Sequence, residues 1–340
     1  MFTQLTRYNG NQANTPDEKF VPLTIAEFQQ MAGRAGRRGK DFVGNVVVML
    51  DKKHSSEDVF KLATSAPDEI KSNFKPTYSL ITHFISQDGS AENLGDAVEK
   101  SFLQDSLKNS NVKPYKVFNK MKKEFDSMAK VVLSPELGIF ETEDGKLLPT
   151  PKGKVVAKAR GVNGLLFAEI LFNGGLEYLT PEELATIACT LTPPDERDKA
   201  DLPAFSEMTL NTLICLNSLY NKINQIEYNQ KVNFNPLCLN LADAQHISKW
   251  ASVSSQDTRQ EWENLIKEIS KVNPNFTEGD FLKSINSTVD ILEQIKETSR
   301  YVLDETSDKS SNLAKKMSKI NNISKDALSL LKRDPIEFDL

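Results

Sequence analysis

Residues 29–39 read Gln29-Gln30-Met31-Ala32-Gly33-Arg34-Ala35-Gly36-Arg37-Arg38-Gly39, and an apolar segment follows them closely. Immediately upstream, residues 24–27 have the S/T-x-x-E pattern of a capping box, which predicts a helix that starts at Ile25 and runs into this stretch. If the helix continues, Gln30, Arg34 and Arg37 lie at i, i+4 and i+7 and share one face. Two fork-shaped guanidiniums among glycines suit a polyphosphate, whose charge grows in the transition state of phosphoryl transfer. The stretch therefore predicts arginine-finger chemistry.

Two interpretations of this stretch stay open. One is a generic basic loop, or a nuclear-import or phosphate-binding patch, made by Arg37, Arg38 and Lys40. The other rests on the whole pattern, which resembles motif VI of the superfamily 2 helicases, Q-x-x-G-R-x-G-R. The matching positions are Gln30, Gly33, Arg34, Gly36 and Arg37. The continuation Arg38-Gly39-Lys40-Asp41, with Gly44 next, resembles the superkiller-type, exosome-associated DExH-box RNA helicases more than their DNA-repair relatives.

The resemblance implies that these five positions contact ATP between two RecA-like domains, with Arg34, Arg37 and Gln30 in the catalytic role. In the family, the first RecA-like domain holds the metal and the α/β-phosphates through a G-x-x-x-x-G-K-[ST] phosphate loop and a D-E-x-H box. Neither motif occurs in these 340 residues. We therefore expect the chain to start within the second RecA-like domain, and ATP and Mg²⁺ to bind only together with the missing N-terminal RecA-like half. The chain alone is expected to be inactive.

Three short segments imitate parts of the missing motifs. Each lacks the flanking glycine, hydroxyl residue or buried strand that phosphate binding requires, so we interpret all three as unrelated to nucleotide binding. They are Lys152-Gly153-Lys154, Asp68-Glu69 and Asp195-Glu196.

Composition sets limits on the function. An apolar fraction of 39% is sufficient for real cores in two or three domains. The net charge of −5 argues against strong sequence-independent nucleic-acid binding, so any contact with single-stranded RNA is expected to be local and weak for the isolated chain. The longest apolar runs are about half the length of a membrane span, and no basic-then-apolar leader begins the chain. We expect a cytoplasmic protein without a membrane partner.

Cysteine and histidine residues give little sign of chemistry. Cys189, Cys215 and Cys238 lie in apolar contexts without C-x-x-C pairing, which predicts buried thiols in a reducing compartment and no disulfide framework. The three histidines, His54, His83 and His246, have no carboxylate or cysteine at ligand spacing, so we predict no metal site. No Ser/His/Asp or Cys/His arrangement can be argued from the sequence.

The chain divides by pattern into three predicted domains. Residues 1–55 are expected to be the C-terminal part of RecA-like domain 2, with a strand over residues 1–8 and a strand buried on both faces over residues 44–50. Residues 56–160 resemble a winged helix, in which Pro76-Thr77-Tyr78 opens a helix and Glu143-Asp144-Gly145 makes the turn of a β-hairpin wing. A structural role for this domain is favoured over duplex binding, because its lysines are offset by nearby acidic residues.

Residues 161–340 have helical patterns almost throughout and resemble the family's C-terminal ratchet domain. Gly174-Gly175 predicts a helix end and Thr180-Pro181-Glu182-Glu183 predicts a helix start. Three later segments resemble family elements in family order: Trp250-Ala251, Thr277-Glu278-Gly279-Asp280-Phe281-Leu282 and Lys332-Arg333-Asp334-Pro335-Ile336. The fold class is thus multidomain and mainly α, with a small α/β part.

The helix that Glu278-Gly279 opens resembles the ratchet helix that contacts RNA in the family. Of three usually basic positions only Lys283 remains, and Asn286 and Ser287 can hydrogen-bond a phosphate or base without adding charge. The apolar stripe through Leu282, Ile285, Val289 and Leu292 is interpreted as core. Two functions follow as hypotheses: the C-terminal part of an ATP-dependent RNA helicase acting with RNA-degradation machinery, or a non-catalytic nucleic-acid-binding or assembly module.

Overall fold

A computed structural model describes most of the 340 residues, and it divides into two compact units, Met1–Asn73 and Phe74–Leu340. The described ranges are 2–3, 6–8, 20–36, 41–50, 55–66, 75–88, 114–194, 205–232, 238–254, 257–274 and 276–336. Within these ranges helices predominate, which confirms the mainly helical fold class.

The first unit combines short strands with two helices. Its elements are β1 (Phe2–Thr3), β2 (Thr6–Tyr8), β3 (Phe20–Pro22), α1 (Ile25–Ala32), β4 (Val47–Val48) and α2 (Ser56–Thr64). β1 pairs with β4 in parallel, and β2 pairs with β3 antiparallel. A small core forms where Leu23 and Phe28 meet Val48 and the α2 side chains Val59 and Leu62.

Both helices of this unit begin with the predicted kind of cap. Thr24 Oγ1 accepts from the Glu27 amide at 3.2 Å, and the Glu27 carboxylate accepts from the Thr24 amide at 2.9 Å, so the predicted capping box is confirmed. An equivalent box between Ser55 and Asp58 starts α2. Although α2 lies in the segment predicted to be winged helix, it packs against α1 in the first unit.

The strand predicted over residues 44–50 is wrong in length and in burial. Only Val47–Val48 is extended and paired, and Val47, Met49 and Leu50 are 49%, 58% and 53% exposed. A strand buried on both faces needs further sheet and helices around it. The described residues give β4 a single neighbour, β1, so Val47 stays at the surface of this unit and only Val48 packs against its small core.

The second unit contains one hairpin, ten α-helices and one 3-10 helix among its described residues. The elements are α3 (Tyr78–Asp88), α4 (Pro114–Val132), β5 (Phe140–Glu143), β6 (Lys146–Pro149), α5 (Pro151–Lys158), α6 (Gly164–Asn173), a 3-10 helix (Leu176–Tyr178), α7 (Pro181–Thr190), α8 (Glu207–Asn229), α9 (Leu241–Ala251), α10 (Thr258–Val272), α11 (Glu278–Glu305) and α12 (Asn312–Leu331). A single hydrophobic core extends from Tyr78 to Ile336. The identities predicted for the three domains stay predictions.

The short sequence patterns that predicted a hairpin turn, a helix end and a helix start in this unit are confirmed. Asp144 and Gly145 have φ values of 49° and 75°, the left-handed pair that a two-residue hairpin turn requires between β5 and β6. Gly174 and Gly175 follow the end of α6, and Thr180 and Glu183 form the capping box of α7. Within the described residues every helix is too short or too polar to cross a membrane.

Aromatic side chains hold the start of α11. The Trp262 ring stacks on Phe281 with centroids 5.2 Å apart, and its indole N–H donates to Glu278 at 2.7 Å. Trp250 meets Trp262 edge-on at 5.2 Å. The Arg333 guanidinium lies 4.6 Å from the centre of the Trp250 ring and donates to the Val253 carbonyl at 2.6 Å. Three segments far apart in sequence therefore meet at this cluster.

The apolar stripe of α11 faces the core as predicted. Ile285 and Leu292 are fully buried and Val289 nearly so. The cysteine prediction is correct only in part, because Cys189 is buried whereas Cys215 is half-buried and Cys238 is exposed. Burial raises the pKa of the Cys189 thiol to about 12, so it stays protonated at neutral pH. His83 is exposed, His246 packs against Phe276, and His54 lies outside the described residues.

Tyr78 connects α3 to α8 through a buried polar contact. Its hydroxyl donates to the Glu227 carboxylate at 2.5 Å, and both side chains lie inside the protein. Burial raises the pKa of Glu227 above its usual range, although the hydrogen bond from Tyr78 partly opposes this shift. The ionised form is therefore less favoured in the folded chain than in the unfolded chain.

We expect Tyr78→Phe to lower the free energy of unfolding by about 1–3 kcal/mol, because it leaves a buried carboxylate without its donor. Glu227→Gln keeps an acceptor for Tyr78 and should be better tolerated. Because the pKa of Glu227 is higher in the folded than in the unfolded chain, the free energy of unfolding should fall as pH rises between these two pKa values. Glu227→Gln removes this titration, so its free energy of unfolding should change less with pH over the same interval.

Urea unfolding of the wild type, Tyr78→Phe and Glu227→Gln between acidic and neutral pH measures both effects. The matched control is Tyr228→Phe, because Tyr228 is an exposed tyrosine next to Glu227 on α8. It should change the free energy of unfolding by less than about 0.5 kcal/mol. Equal losses in Tyr78→Phe and Tyr228→Phe would contradict the assigned role of the buried contact.

Candidate functional site

The predicted arginine-finger stretch begins on α1 and leaves it at Gly33. The Gly33 amide donates to the Gln29 carbonyl at 2.8 Å, and the Arg34 amide donates to the Met31 carbonyl at 3.1 Å. Gln30 therefore lies in the last turn of α1 and Arg34 in the tighter turn that follows, and both are exposed. Arg37 lies outside the described residues.

Because α1 ends at Ala32, before Arg34, the predicted helical face with i, i+4, i+7 spacing is wrong from Arg34 onward. Gly36 has a φ of 84°, in the left-handed region that ends a right-handed helix. Gly44 explains part of this geometry, because a Cβ atom there would lie 2.2 Å from the Ala35 carbonyl oxygen. The backbone after α1 thus turns away and packs directly against Gly44.

The structure separates the roles of the two adjacent glutamines. The Gln29 amide donates to the Ser65 carbonyl at 2.8 Å, just past the end of α2, and the side chain is half-buried. Gln30 is exposed and accessible to a ligand. Gln29 therefore stabilises the packing of α1 with α2, whereas Gln30 is available for the predicted contact with nucleotide.

A second candidate surface lies on α11. Lys283, Asn286 and Ser287 share one side of this helix, the first two exposed and Ser287 half-buried. Ser287 also lines a cleft of about 580 Å³ between α11, the segment after α5 and the end of α7. Residues that shape this cleft include Arg160, Val162, Leu191, Asp290, Glu293 and Gln294.

The cleft carries more acidic than basic side chains, but two of its carboxylates have cationic partners. Glu297 faces Arg160 at 3.3 Å, and Glu293 faces Lys332 at 3.0 Å and also pairs with Lys296. Burial opposes ionisation of Glu293, but the two lysines outweigh it and lower the pKa of Glu293. These partners offset the charges of Glu293 and Glu297, which leaves the exposed Asp290 carboxylate as the group of this cleft that disfavours a phosphate.

Gln294 fixes the wall of the cleft. Its amide oxygen accepts from the Arg160 amide at 2.9 Å, and its amide nitrogen donates to the Arg160 carbonyl at 3.0 Å. The sequence did not identify this pair because the two residues are far apart along the chain. Asp290 was also missed, although its helical spacing from Asn286 and Ser287 was available as a signal.

The segments that imitate nucleotide motifs do not form a phosphate site in the described residues. Residues 152–154 lie within α5, where Lys152 pairs with Glu169 and Lys154 pairs with Glu305 at 2.6 Å. Asp68-Glu69 and Asp195-Glu196 lie outside the described ranges. The part of the chain that the structure describes has no cluster of His, Cys, Asp and Glu suited to a metal ion. The exposed Arg34 side chain fits a phosphate group. No group of carboxylates among the described residues fits Mg²⁺.

Comparison with known proteins identifies relatives. The family model described as the DSHCT (NUC185) domain matches residues 146–339. "Antiviral helicase SKI2" of Saccharomyces cerevisiae is 37% identical over 86 residues, which are 25% of this chain and 6% of that protein. "Exosome RNA helicase MTR4" of Mus musculus is 33% identical over 104 residues, 31% of this chain and 9% of the relative. "DExH-box ATP-dependent RNA helicase DExH11" of Arabidopsis thaliana is 32% identical over 111 residues, 32% of this chain and 7% of the relative.

These matches cover less than a tenth of each of the three relatives' own length. The family model, in contrast, covers more than half of this chain, from β6 through α12. The chain therefore belongs to the DSHCT domain family and corresponds to the C-terminal region of the Ski2-like DExH-box RNA helicases.

Proposed function

We propose that the chain works as part of an ATP-dependent RNA helicase that unwinds or remodels RNA in the cytoplasm. Residues 1–55 act as the C-terminal part of RecA-like domain 2, residues 56–160 as a winged helix and residues 161–340 as the ratchet domain. The DSHCT match to residues 146–339 carries this proposal. The position of Gln30 and Arg34 on exposed backbone at the end of a capped helix supports it further.

In this proposal, Arg34 and Arg37 act as arginine fingers on ATP, with Gln30, Gly33 and Gly36 beside them. The phosphates and Mg²⁺ are held by a phosphate loop and a D-E-x-H box outside these 340 residues. Each guanidinium then stabilises charge on the γ-phosphoryl group as it transfers. The exposure of Arg34 supports this role, because a finger must reach a ligand held by another domain.

RNA passes over the exposed side of α11 in the same proposal. Lys283 supplies a phosphate contact, while Asn286 and Ser287 supply uncharged hydrogen bonds. The acidic residues farther along α11 limit the affinity that phosphate contacts can add. We therefore propose weak RNA binding by the chain alone, with RNA-degradation machinery as the wider partner because one relative's name refers to the exosome.

A non-catalytic assembly module is the second candidate. The observation that favours it is the absence of a phosphate loop and D-E-x-H box from these 340 residues. The two candidates differ in one respect. If the chain has a catalytic role, Arg34 and Arg37 must affect ATP turnover when a RecA-like half with a phosphate loop is present. If it is an assembly module, substitution of these arginines should leave ATP turnover unchanged.

We expect Arg34→Lys and Arg37→Lys to lower ATP turnover by about 10³-fold or more in the presence of that N-terminal half, while RNA affinity changes little. Lysine is a point charge and cannot reproduce the planar two-pronged contact of a guanidinium. Steady-state ATPase assays and RNA titrations on the same preparations measure the two quantities side by side.

Arg259→Lys is the matched control, since Arg259 is exposed on α10 and lies outside both proposed surfaces. Gln29→Ala should lower thermal stability through the lost bond to Ser65, whereas Gln30→Ala should lower turnover at unchanged stability. Near-wild-type turnover in both arginine variants would exclude the finger assignment and favour the assembly module.

RNA binding by the chain should weaken steeply as salt rises, and Lys283→Ala should reduce the slope of log affinity against log salt by about 1. The reason is that one phosphate contact, and the counterion that it displaces, is lost. Fluorescence anisotropy with a labelled oligouridylate measures this slope, and Lys325→Ala on the exposed side of α12 is the control. Equal slopes for wild type and Lys283→Ala would show that α11 does not contact the RNA backbone.

A further inference from the structure

One exposed side of α8 carries apolar and amide side chains instead of charges. Met208, Leu210 and Ile214 are 42%, 45% and 68% exposed, and Tyr228 near the other end of the helix is 81% exposed. The exposed residues between them have amide or hydroxyl groups. We call this side the neutral face of α8, and its members are Met208, Leu210, Asn211, Ile214, Asn217, Ser218, Asn221, Gln225 and Tyr228.

The charged residues of α8 are placed away from this face or have a partner beside it. Glu227 is buried and accepts a hydrogen bond from Tyr78, and Glu207 lies in the first turn. Lys222 borders the neutral face, but its ammonium group donates to the Glu136 carbonyl at 2.9 Å. The solvent-facing side of a helix usually carries charged residues, whereas the centres of protein interfaces are depleted in charge and enriched in aromatic residues and Met. The neutral face therefore has the composition of an interface.

The neutral face is nearly symmetric along the helix about Ser218. Met208 and Tyr228 lie ten residues before and after it, and Asn211 and Gln225 lie seven residues before and after it. In an antiparallel pair of two α8 helices with a two-fold axis at Ser218, the bulky end residues meet each other and the amides meet each other. An amide both donates and accepts hydrogen bonds, so Asn211 and Gln225 can satisfy each other across the pair.

The centre of the same pair is also sterically and electrostatically compatible. Ser218 has a small side chain, which lets two helices approach closely where they cross. Ile214 and Lys222 lie four residues before and after Ser218, so Ile214 of one copy packs against the methylene stem of Lys222 in the other. The ammonium group of that lysine keeps its hydrogen bond to the Glu136 carbonyl.

We propose that the neutral face of α8 binds a second copy of this chain, in an antiparallel and two-fold symmetric helix pair centred on Ser218. A highly charged partner finds no complementary charge on this face, whereas a second copy supplies the matching pattern by symmetry. The 23-residue helix is about 34 Å long, and one helix face of that length buries less than a standard interface of about 1,600 Å². The dimer is therefore weak, with a dissociation constant on the order of 10–100 μM.

Sedimentation velocity of the full chain at concentrations on both sides of that dissociation constant tests the proposal. The wild type should shift from monomer to dimer as its concentration rises. Ile214→Lys should raise the dissociation constant by at least about tenfold, because it places a second cation beside Lys222 of the other copy. The matched control is Val272→Lys, since Val272 is 56% exposed on α10 and lies outside the neutral face, and it should leave the association unchanged.

Cross-linking with a short bismaleimide tests the geometry of the pair. The background carries Cys215→Ser and Cys238→Ser, so that its remaining thiol is buried. Ser218→Cys should link two copies, because a residue on a two-fold axis faces itself. Asn211→Cys alone should give no link, whereas a mixture of Asn211→Cys and Gln225→Cys should link, because these positions face each other in the antiparallel pair.

A wild-type chain that stays monomeric throughout the concentration series would overturn the proposal. If Ile214→Lys also lowers the thermal stability of that monomer, residues of the same chain outside the described ranges cover the neutral face. Association that Ile214→Lys leaves intact would place the interface on another surface, which also contradicts the proposal. Self-linking of Asn211→Cys would indicate a parallel pair and overturn the two-fold geometry.

Discussion

The position of α11 depends on the stacking of Trp262 against Phe281 and on the hydrogen bond from the Trp262 indole to Glu278. Both partners of Trp262 belong to the first turns of α11, and Lys283 emerges two residues after Phe281. Trp250 packs edge-on against Trp262, and Arg333 lies over the other indole ring, that of Trp250, so residues near position 333 also contribute to this arrangement. Large aromatic surfaces bury much area with little rotamer freedom, which gives a long helix a fixed starting point.

This cluster gives a physical reason for three segments that the sequence could only match by resemblance. Trp250-Ala251, the segment that starts α11 and the segment around Arg333 are far apart in sequence, yet they meet around one pair of indole rings. Arg333 is particularly informative, because its guanidinium both stacks on Trp250 and satisfies the Val253 carbonyl beyond the end of α9. A lysine could supply charge there but not the planar stack.

The sequence predicted what depends on neighbouring residues and missed what depends on distant ones. The capping boxes at Thr24 and Thr180 and the hairpin turn at Asp144 are short-range hydrogen-bond or backbone patterns, and all three are present. The prediction that residues 44–50 form a buried strand was wrong, because the burial of a strand depends on the elements that surround it rather than on its own composition.

The candidate sites show the same division. Helical spacing correctly grouped Lys283, Asn286 and Ser287, because α11 is a continuous helix. Helical spacing failed at Arg34, because α1 ends at Ala32 and Gly36 then has a left-handed backbone, and the pattern of arginines revealed neither feature. The two hydrogen bonds between Gln294 and the Arg160 backbone join distant residues, and spacing along one helix carries no information about such a pair.

The glycines of the arginine stretch have a backbone role that helps to explain their spacing. Gly33 ends α1, Gly36 turns the chain through a left-handed conformation, and Gly44 lets the Ala35 carbonyl approach the neighbouring backbone. The Arg34 guanidinium makes no hydrogen bond within the described residues, so backbone geometry rather than side-chain contacts determines where it projects. An arginine held in this way keeps all its donors available for a phosphate and loses no existing partner when it binds.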